Sequence, residues 1–218
     1  MFTQSEENYL KAIFHLQQET DGGISTSSLS NLLKTKAASV TEMVKRLADK
    51  KLVDYQKYYG AQLTEKGMQH ALLIVRKHRL WEYFLVERLN FNWDEVHDVA
   101  EQLEHIQSPK LVEELDAFLG RPAYDPHGDP IPDAKGNLPE SPSKRLSQLE
   151  EGDLGICKGF NDESSSFLKY LAKQDIGLGT QVKVVNIEKF DESMTVKLQD
   201  GEVQLSKTAT DNIYVEQT

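Results

Sequence analysis

The chain has 218 residues, one cysteine and a formal net charge of -10, with 39% hydrophobic and 28% charged side chains. That length holds one large or two small domains, the lone Cys157 excludes an intrachain disulfide and an all-cysteine zinc site, and no apolar run approaches the roughly 18 residues of a membrane span. The opening MFTQSEENYL has neither the basic segment nor the apolar stretch of a secretory signal, so a cytoplasmic protein with no membrane partner is expected. An acidic average argues against a plain nucleic-acid binder. The charge is uneven, however: positions 31–60 carry seven Lys or Arg against three acids, and positions 87–133 carry twelve acids against three bases.

Thr3-Gln4-Ser5-Glu6 has capping-box spacing, and Tyr9, Leu10, Ile13, Phe14 and Leu16 follow with helical period, which predicts a helix over 4–19. Asp21-Gly22-Gly23 ends it. Ser25 or Thr26 starts a short helix to about Leu33. A turn at Lys34-Thr35-Lys36 leads into a third helix from Ala37 to about Lys50, with Val40, Met43, Val44 and Leu47 on its apolar face. Leu52-Val53-Asp54-Tyr55 and Gln62-Leu63 read as extended stretches around Tyr59-Gly60, completing a winged helix-turn-helix pattern. Thr64 caps a long helix to about Leu89, Asp94 caps another to about Ile106, and Ser108-Pro109 starts one that ends near Leu119-Gly120. Positions 121–143 hold six of the seven prolines and read as a linker. Beyond it, 152–156, 182–185, 194–198 and 202–205 read as strands, the last two joined by the hairpin signal Asp200-Gly201. A helix over 164–173 lies between the first two strands, and a small barrel is the natural closure.

In helix-turn-helix proteins the second helix enters the major groove by its N-terminal residues. Here that end is Lys36-Ala37-Ala38-Ser39-Val40-Thr41-Glu42. Small residues such as Ala38 allow close approach, Ser39 and Thr41 reach phosphate or base edges, and Glu42 suits the amino group of cytosine. Lys45, Arg46 and Lys57 are candidate phosphate contacts. An ordinary solvated basic face would show the same pattern.

His97, Glu101, Glu104 and His105 stand at i, i+4, i+7 and i+8, within about 100° of one helix face. The preceding long helix adds His78 and Glu82 one turn apart. Two antiparallel helices with such spacing can enclose divalent cations, and imidazole with carboxylate but no thiolate suits manganese, ferrous iron or zinc. A salt-bridge seam with Lys77, Arg79 and Arg88 is the plainer account of the same residues.

Together the two constellations resemble the diphtheria toxin repressor family of iron- and manganese-dependent repressors. The resemblance lies in Glu7-Asn8-Tyr9-Leu10-Lys11-Ala12-Ile13, Ala38-Ser39-Val40-Thr41-Glu42-Met43-Val44, Leu63-Thr64-Glu65-Lys66-Gly67, Arg76-Lys77-His78-Arg79-Leu80, Val96-His97-Asp98, Glu101-Gln102-Leu103-Glu104-His105 and His127-Gly128-Asp129-Pro130-Ile131-Pro132. It implies a mainly α fold with a small β module. The expected domains are a winged helix-turn-helix DNA-binding domain at 1–73, a helical metal-binding and dimerisation domain at 74–140, and an SH3-like barrel at 141–218. That last domain also resembles ferrous-iron transport accessory proteins.

The resemblance also implies two metal sites per subunit. One has His78, Glu82 and His97 with Glu163, and Ser166 falls where iron-type members have a glutamine. The other has Glu101, Glu104 and His105 with Asn8 from the first helix. Glu101 stands where iron-type members have cysteine, Asn8 where they have methionine and manganese-type members have aspartate, and Lys11 where manganese-type members have glutamate. The loss of both sulfurs favours Mn2+ over Fe2+. The function expected is a metal-activated, homodimeric transcriptional repressor of metal-homeostasis genes that binds a double-stranded DNA operator and is not an enzyme. Leu103, Ile106, Leu111, Val112, Leu115 and Phe118 are the apolar candidates for the dimer contact. The alternatives are a metallohydrolase built on the His/Glu cluster and a metal-independent winged-helix repressor.

Overall fold

The computed structural model describes residues 2–20, 22–139, 144–162 and 164–218. Among them no helix is long and apolar enough to cross a membrane. They form two compact units whose segments alternate along the chain. Met1–His78, Glu101–Phe118 and Pro132–Leu138 make the first, and Arg79–Ala100, Leu119–Ile131 and Pro139–Thr218 the second.

In the first unit, α1 (Gln4–Glu19) opens with the expected capping box: the Thr3 hydroxyl accepts from the Glu6 amide, and the Glu6 carboxylate accepts from the Thr3 amide. Next come α2 (Thr26–Leu32), capped by the Ser25 hydroxyl, and α3 (Ala37–Asp49). Val40, Val44 and Leu47 are fully buried with Leu10, Ile13 and Leu29, so the apolar stripe of α3 is spent on this core and its other face is left to solvent. The antiparallel pair β1 (Val53–Gln56) and β2 (Gly60–Leu63) forms the wing. Gly60 has φ +93°, and a Cβ there would lie 2.6 Å from the Ile24 carbonyl oxygen, so a side chain would keep the wing from closing on the 23–24 loop.

The Thr64 hydroxyl accepts from the Gly67 amide at 3.0 Å and starts α4 (Glu65–Leu89), which contributes to both units. Two short helices follow, α5 (His97–Leu103) and α6 (Pro109–Phe118). Within the first unit, Arg76 donates to Asp116 at 2.9 Å and to the Pro132 carbonyl at 2.9 Å.

Two expectations need correction. The helix predicted from Asp94 to Ile106 spans only His97–Leu103. Asp94 does not cap it. Its carboxylate faces Lys169 Nζ at 3.4 Å and the Ser165 hydroxyl at 3.5 Å, while the Asn92 amide donates to Glu95 at 2.8 Å and turns the chain before the helix can start. Glu104 and His105 therefore lie beyond the helix end, and the predicted single helical face for all four ligand-type residues does not form. The expected linker, too, is ordered where it is described. Asp125, His127 and Ile131 are buried, Tyr124 and Pro130 form a β-bridge, and Arg79 donates to the Pro130 carbonyl at 2.6 Å. Proline stiffens these turns, and buried guanidinium groups hold their carbonyls. Positions 140–143 lie outside the described residues.

The remainder of the second unit is β-rich. Its elements are β3 (Lys144–Arg145), β4 (Leu154–Phe160), α7 (Ser165–Lys173), β5 (Gln181–Ile187), β6 (Met194–Lys197), β7 (Glu202–Leu205), α8 (Lys207–Asp211) and β8 (Ile213–Gln217). The strands form an antiparallel sheet in the order β3-β8-β4-β5-β6-β7. Phe160, Leu168, Leu171, Val184, Val196 and Ile213 fill its core. Cys157 is buried there, and burial pushes its thiol up to about 12, which makes it inert packing.

Candidate metal centre and nucleic-acid interface

In the first unit α1 presents Glu7 and Lys11, one turn apart and therefore on one face. His78 lies on α4, and Glu104 and His105 lie just past α5. Glu104 is fully buried. Its Oε2 lies 2.6 Å from His78 Nδ1 and 2.7 Å from Lys11 Nζ, and its Oε1 has no hydrogen-bond partner and lies 3.7 Å from His105 Nε2. Burial works against the ionised carboxylate, but the His78 hydrogen bond and the Lys11 charge outweigh it and hold Glu104 below the usual range. His105 Nδ1 is 2.6 Å from Glu7 Oε2, and Glu7 Oε1 accepts from Gln107 at 2.7 Å and faces Lys77 Nζ at 3.4 Å. Glu101 is exposed, with Oε1 3.4 Å from Lys11 Nζ. The residue of α1 that meets His105 is thus Glu7, not the expected Asn8, its half-buried neighbour.

The second unit holds a further cluster. Glu82, Asp125 and His127 are all buried, and each offers a ligand atom within 4.8 Å of the others. His97 Nδ1 lies 3.4 Å from Glu82 Oε1 and His127 Nδ1 3.7 Å from Glu82 Oε2. The other His127 nitrogen, Nε2, is 2.6 Å from the Trp93 carbonyl, so Nδ1 is the ring atom aimed into the cluster. It has no hydrogen-bond partner, and neither does Asp125 Oδ2. Burial works against the imidazolium of His127, but Glu82 and Asp125 outweigh it and raise it to about 10. Burial and the charges of Asp129 and Glu82 push Asp125 up to about 7. Gly128 anchors the loop. Its φ is +88°, and a Cβ would sit 1.9 Å from the Lys158 carbonyl oxygen of β4. Asp125 and His127 were hidden in a proline-rich stretch, and the only signal for them was the His127-Gly128-Asp129 segment. His78 stands one turn before Glu82 on α4. Ser166 is exposed, its hydroxyl 3.2 Å from that of Ser164, and Glu163 lies outside the described residues.

On α3, Ala38, Ser39, Glu42, Lys45 and Arg46 are exposed, as is Lys36 at its N-cap. Thr41 is half-buried and donates its hydroxyl to the Ala37 carbonyl at 2.9 Å, which leaves the hydroxyl free to act as an acceptor. Arg46 Nε is 2.9 Å and Lys50 Nζ 2.6 Å from Glu6, which ties α3 to α1. At the wing tip Lys57 Nζ lies 5.2 Å from the ring centroid of Tyr58. Tyr58 is 92% exposed and has φ +76°, an uncommon conformation for an aromatic residue. Lys57 is thus joined at the wing tip by a tyrosine that no spacing in the sequence marks.

Residues 1–61 match the family model for the N-terminal DNA-binding domain of the iron-dependent repressors, and residues 64–133 match their metal-binding and dimerisation domain. Residues 144–217 match the FeoA domain. A solved manganese-dependent transcriptional repressor in complex with manganese superposes with TM-score 0.90 at 37% identity, covering 97% of this chain and 99% of that one. The chain belongs to the iron-dependent repressor family. The manganese regulator SloR superposes with TM-score 0.80 at 32% identity, covering 98% of each chain. The iron-dependent repressor IdeR of Mycobacterium tuberculosis is 33% identical over 128 residues, which are 58% of this chain and 54% of that protein. The family consists of metal-dependent transcriptional repressors, not enzymes, which sets aside the metallohydrolase and metal-independent alternatives. Of the dimer candidates, Leu115 belongs to this chain's own buried set, Leu103 and Val112 are half-buried, and Ile106, Leu111 and Phe118 are exposed.

Proposed function

We propose that this repressor binds its operator as a homodimer when divalent metal, Mn2+ in preference to Fe2+, fills two sites in each subunit. Glu104 carries the proposal. It is a buried carboxylate that gathers an imidazole and an ammonium on one oxygen and keeps the other free of hydrogen bonds beside the Glu7–His105 pair. A buried carboxylate oxygen without a hydrogen-bond partner is costly, and a cation beside it would offset that cost. The donors that fit the first site are Glu7, Glu104 and His105, with Glu101, which faces Lys11, and Asn8 nearby. Those that fit the second are His78, Glu82, His97, Asp125 and His127, with Glu163 as a further ligand. All are oxygen or nitrogen, which suits manganese. A divalent cation held there would neutralise the clustered carboxylates and cross-link the segments that bear them.

Glu7 couples the first site to DNA. It sits on α1 beside Glu6, which grips Arg46 and Lys50 of α3. Holding Glu7 against His105 therefore holds the helix on which α3 rests. Two such α3 helices, spaced about 34–36 Å apart in a dimer, suit successive major grooves. Ala38, Ser39, Thr41 and Glu42 face base edges, and Lys36, Lys45, Arg46 and Lys57 face phosphates, with Tyr58 at the wing tip. Ile106, Leu111 and Phe118 offer the dimer its apolar contact, and the cytoplasm is the expected location. The test is fluorescence anisotropy on the DNA upstream of the protein's own gene, with chelator and with MnCl2. Tight binding only with Mn2+ is expected, and equal affinity in both would overturn the proposal.

A further inference from the structure

Lys11 is 8% exposed, an unusual position for lysine, and it is buried among the candidate ligands of the first site. Its Nζ lies 2.7 Å from Glu104 Oε2 and 3.4 Å from Glu101 Oε1, bridging the two carboxylates. His78 Nδ1 approaches the same Glu104 oxygen at 2.6 Å. The second oxygen of this fully buried carboxylate points the other way, toward His105, and has no hydrogen bond. The cluster thus has two sides. On one, an ammonium group already sits between carboxylates. On the other, Glu104 Oε1, His105 and Glu7 converge with no cation from Lys11 among them.

We infer that Lys11 is a resident cation of this centre. It fills the position between Glu101 and Glu104, limits the cluster to a single divalent ion on the His105 side, and lowers the affinity for that ion. The inference rests on the reading of Glu7, Glu104 and His105 as metal ligands. Three carboxylates, Glu7, Glu101 and Glu104, face the two ammonium groups of Lys11 and Lys77. Removing one ammonium leaves negative charge that only an incoming ion can offset. A unit charge a few ångströms from a divalent ion changes its affinity by on the order of tenfold even in a water-like dielectric. The lysine stem is also long enough to withdraw, so the device sets a threshold for metal without destroying the site.

The experiment uses the purified full-length chain stripped of metal, titrated with Mn2+ by calorimetry and by equilibrium dialysis with elemental analysis. Lys11→Met is expected to bind Mn2+ about tenfold more tightly than the wild type and to melt at a lower temperature without metal. Lys11→Glu, which turns the cation into a ligand, is expected to bind one more Mn2+ per chain. Lys11→Arg keeps the charge and is expected to restore the wild-type stoichiometry. If Lys11→Met does not fold, Lys11→Gln removes the same charge while keeping a donor toward Glu104. Unchanged or weaker Mn2+ affinity in the neutral variant, or unchanged stoichiometry in Lys11→Glu, overturns the inference. Glu104→Gln separates this from failure of the site itself: if it binds as many Mn2+ ions as the wild type, the ligand reading fails whatever Lys11 does.

Discussion

Glu7 Oε2 and His105 Nδ1 lie 2.6 Å apart across 98 positions of sequence. The contact joins a helix of the DNA-binding domain to the metal-binding domain, alongside the Lys11–Glu104 and Gln107–Glu7 pairs. Neither residue is an ordinary surface ion-pair member, since both are largely removed from solvent. Perturbing this pair should separate metal affinity from folding.

Glu7→Ala and His105→Ala should each weaken Mn2+ binding by about 100-fold or more, beyond the roughly 10–100-fold cost of a supporting contact. Both should abolish metal-dependent operator binding. Calorimetry and anisotropy on the same samples check this, with circular dichroism to confirm folding. Wild-type Mn2+ affinity in either variant would remove that residue from the centre.

Glu6 makes part of the winged domain's stability depend on pH. Burial alone would raise its pKa, but the Lys50 hydrogen bond, the Thr3 amide and the charges of Lys50 and Arg46 lower it below the usual carboxylate value. A depressed folded pKa contributes stability that is present above the unfolded value and lost as pH falls through the folded one. Glu6→Gln should therefore cost about 2 kcal/mol near neutrality, the scale of a charged hydrogen bond. The gap between variant and wild type should close toward pH 3. Urea melts in chelator across that range measure it.

Tyr58 should show opposite effects on stability and binding. Its positive φ costs about 1 kcal/mol or more relative to glycine, and its ring is almost wholly exposed. Tyr58→Gly should raise the melting temperature while weakening operator binding several-fold. Lys57→Ala should lower the salt dependence of binding by about one phosphate contact. A glycine variant that binds DNA as tightly as the wild type would take the wing tip out of the interface.

Gly128→Ala tests the His127 loop. The added methyl meets the Lys158 carbonyl at 1.9 Å on a backbone with φ +88°, so the loop must move. A loss of about 1–3 kcal/mol is expected, together with one Mn2+ fewer per chain at moderate metal concentration. If the segment were a slack tether, the substitution would be silent in both measurements.

The legible parts of the fold were those with local causes. The Thr3 capping box, the spacing of Val40, Val44 and Leu47, and the Thr64 cap mark helices that form where their residues indicate. His78, Glu82, Glu104 and His105 stand out in the sequence as ligand-type side chains, and the structure brings His78 and His105 to Glu104. Their other partners do not stand out in this way. Asp94 reads as a helix cap, yet its carboxylate faces Lys169, and no local pattern foretells that. Asp125 and His127 sit among prolines that suggest a tether, and what orders them is Arg79 reaching back to the Pro130 carbonyl. Glu7 was obscured by its neighbour. A helix displays adjacent residues about 100° apart, and only the packed structure selects which one faces His105.

The strand order of the C-terminal module carries a kinetic consequence. β5, β6 and β7 form a meander of sequence neighbours, whereas β8 lies between β3 and β4, pairing Val215 with Lys144 and Gln217 with Gly155. Closing those long loops costs entropy before any ladder bond is returned. β4 to β7 can pair among themselves early, but β3 has no neighbour until this five-residue strand docks. Refolding of this module should therefore be limited by arrival of β8. Cleavage just before Ile213 would leave β3 and β4 without their shared neighbour while the winged domain keeps its own core.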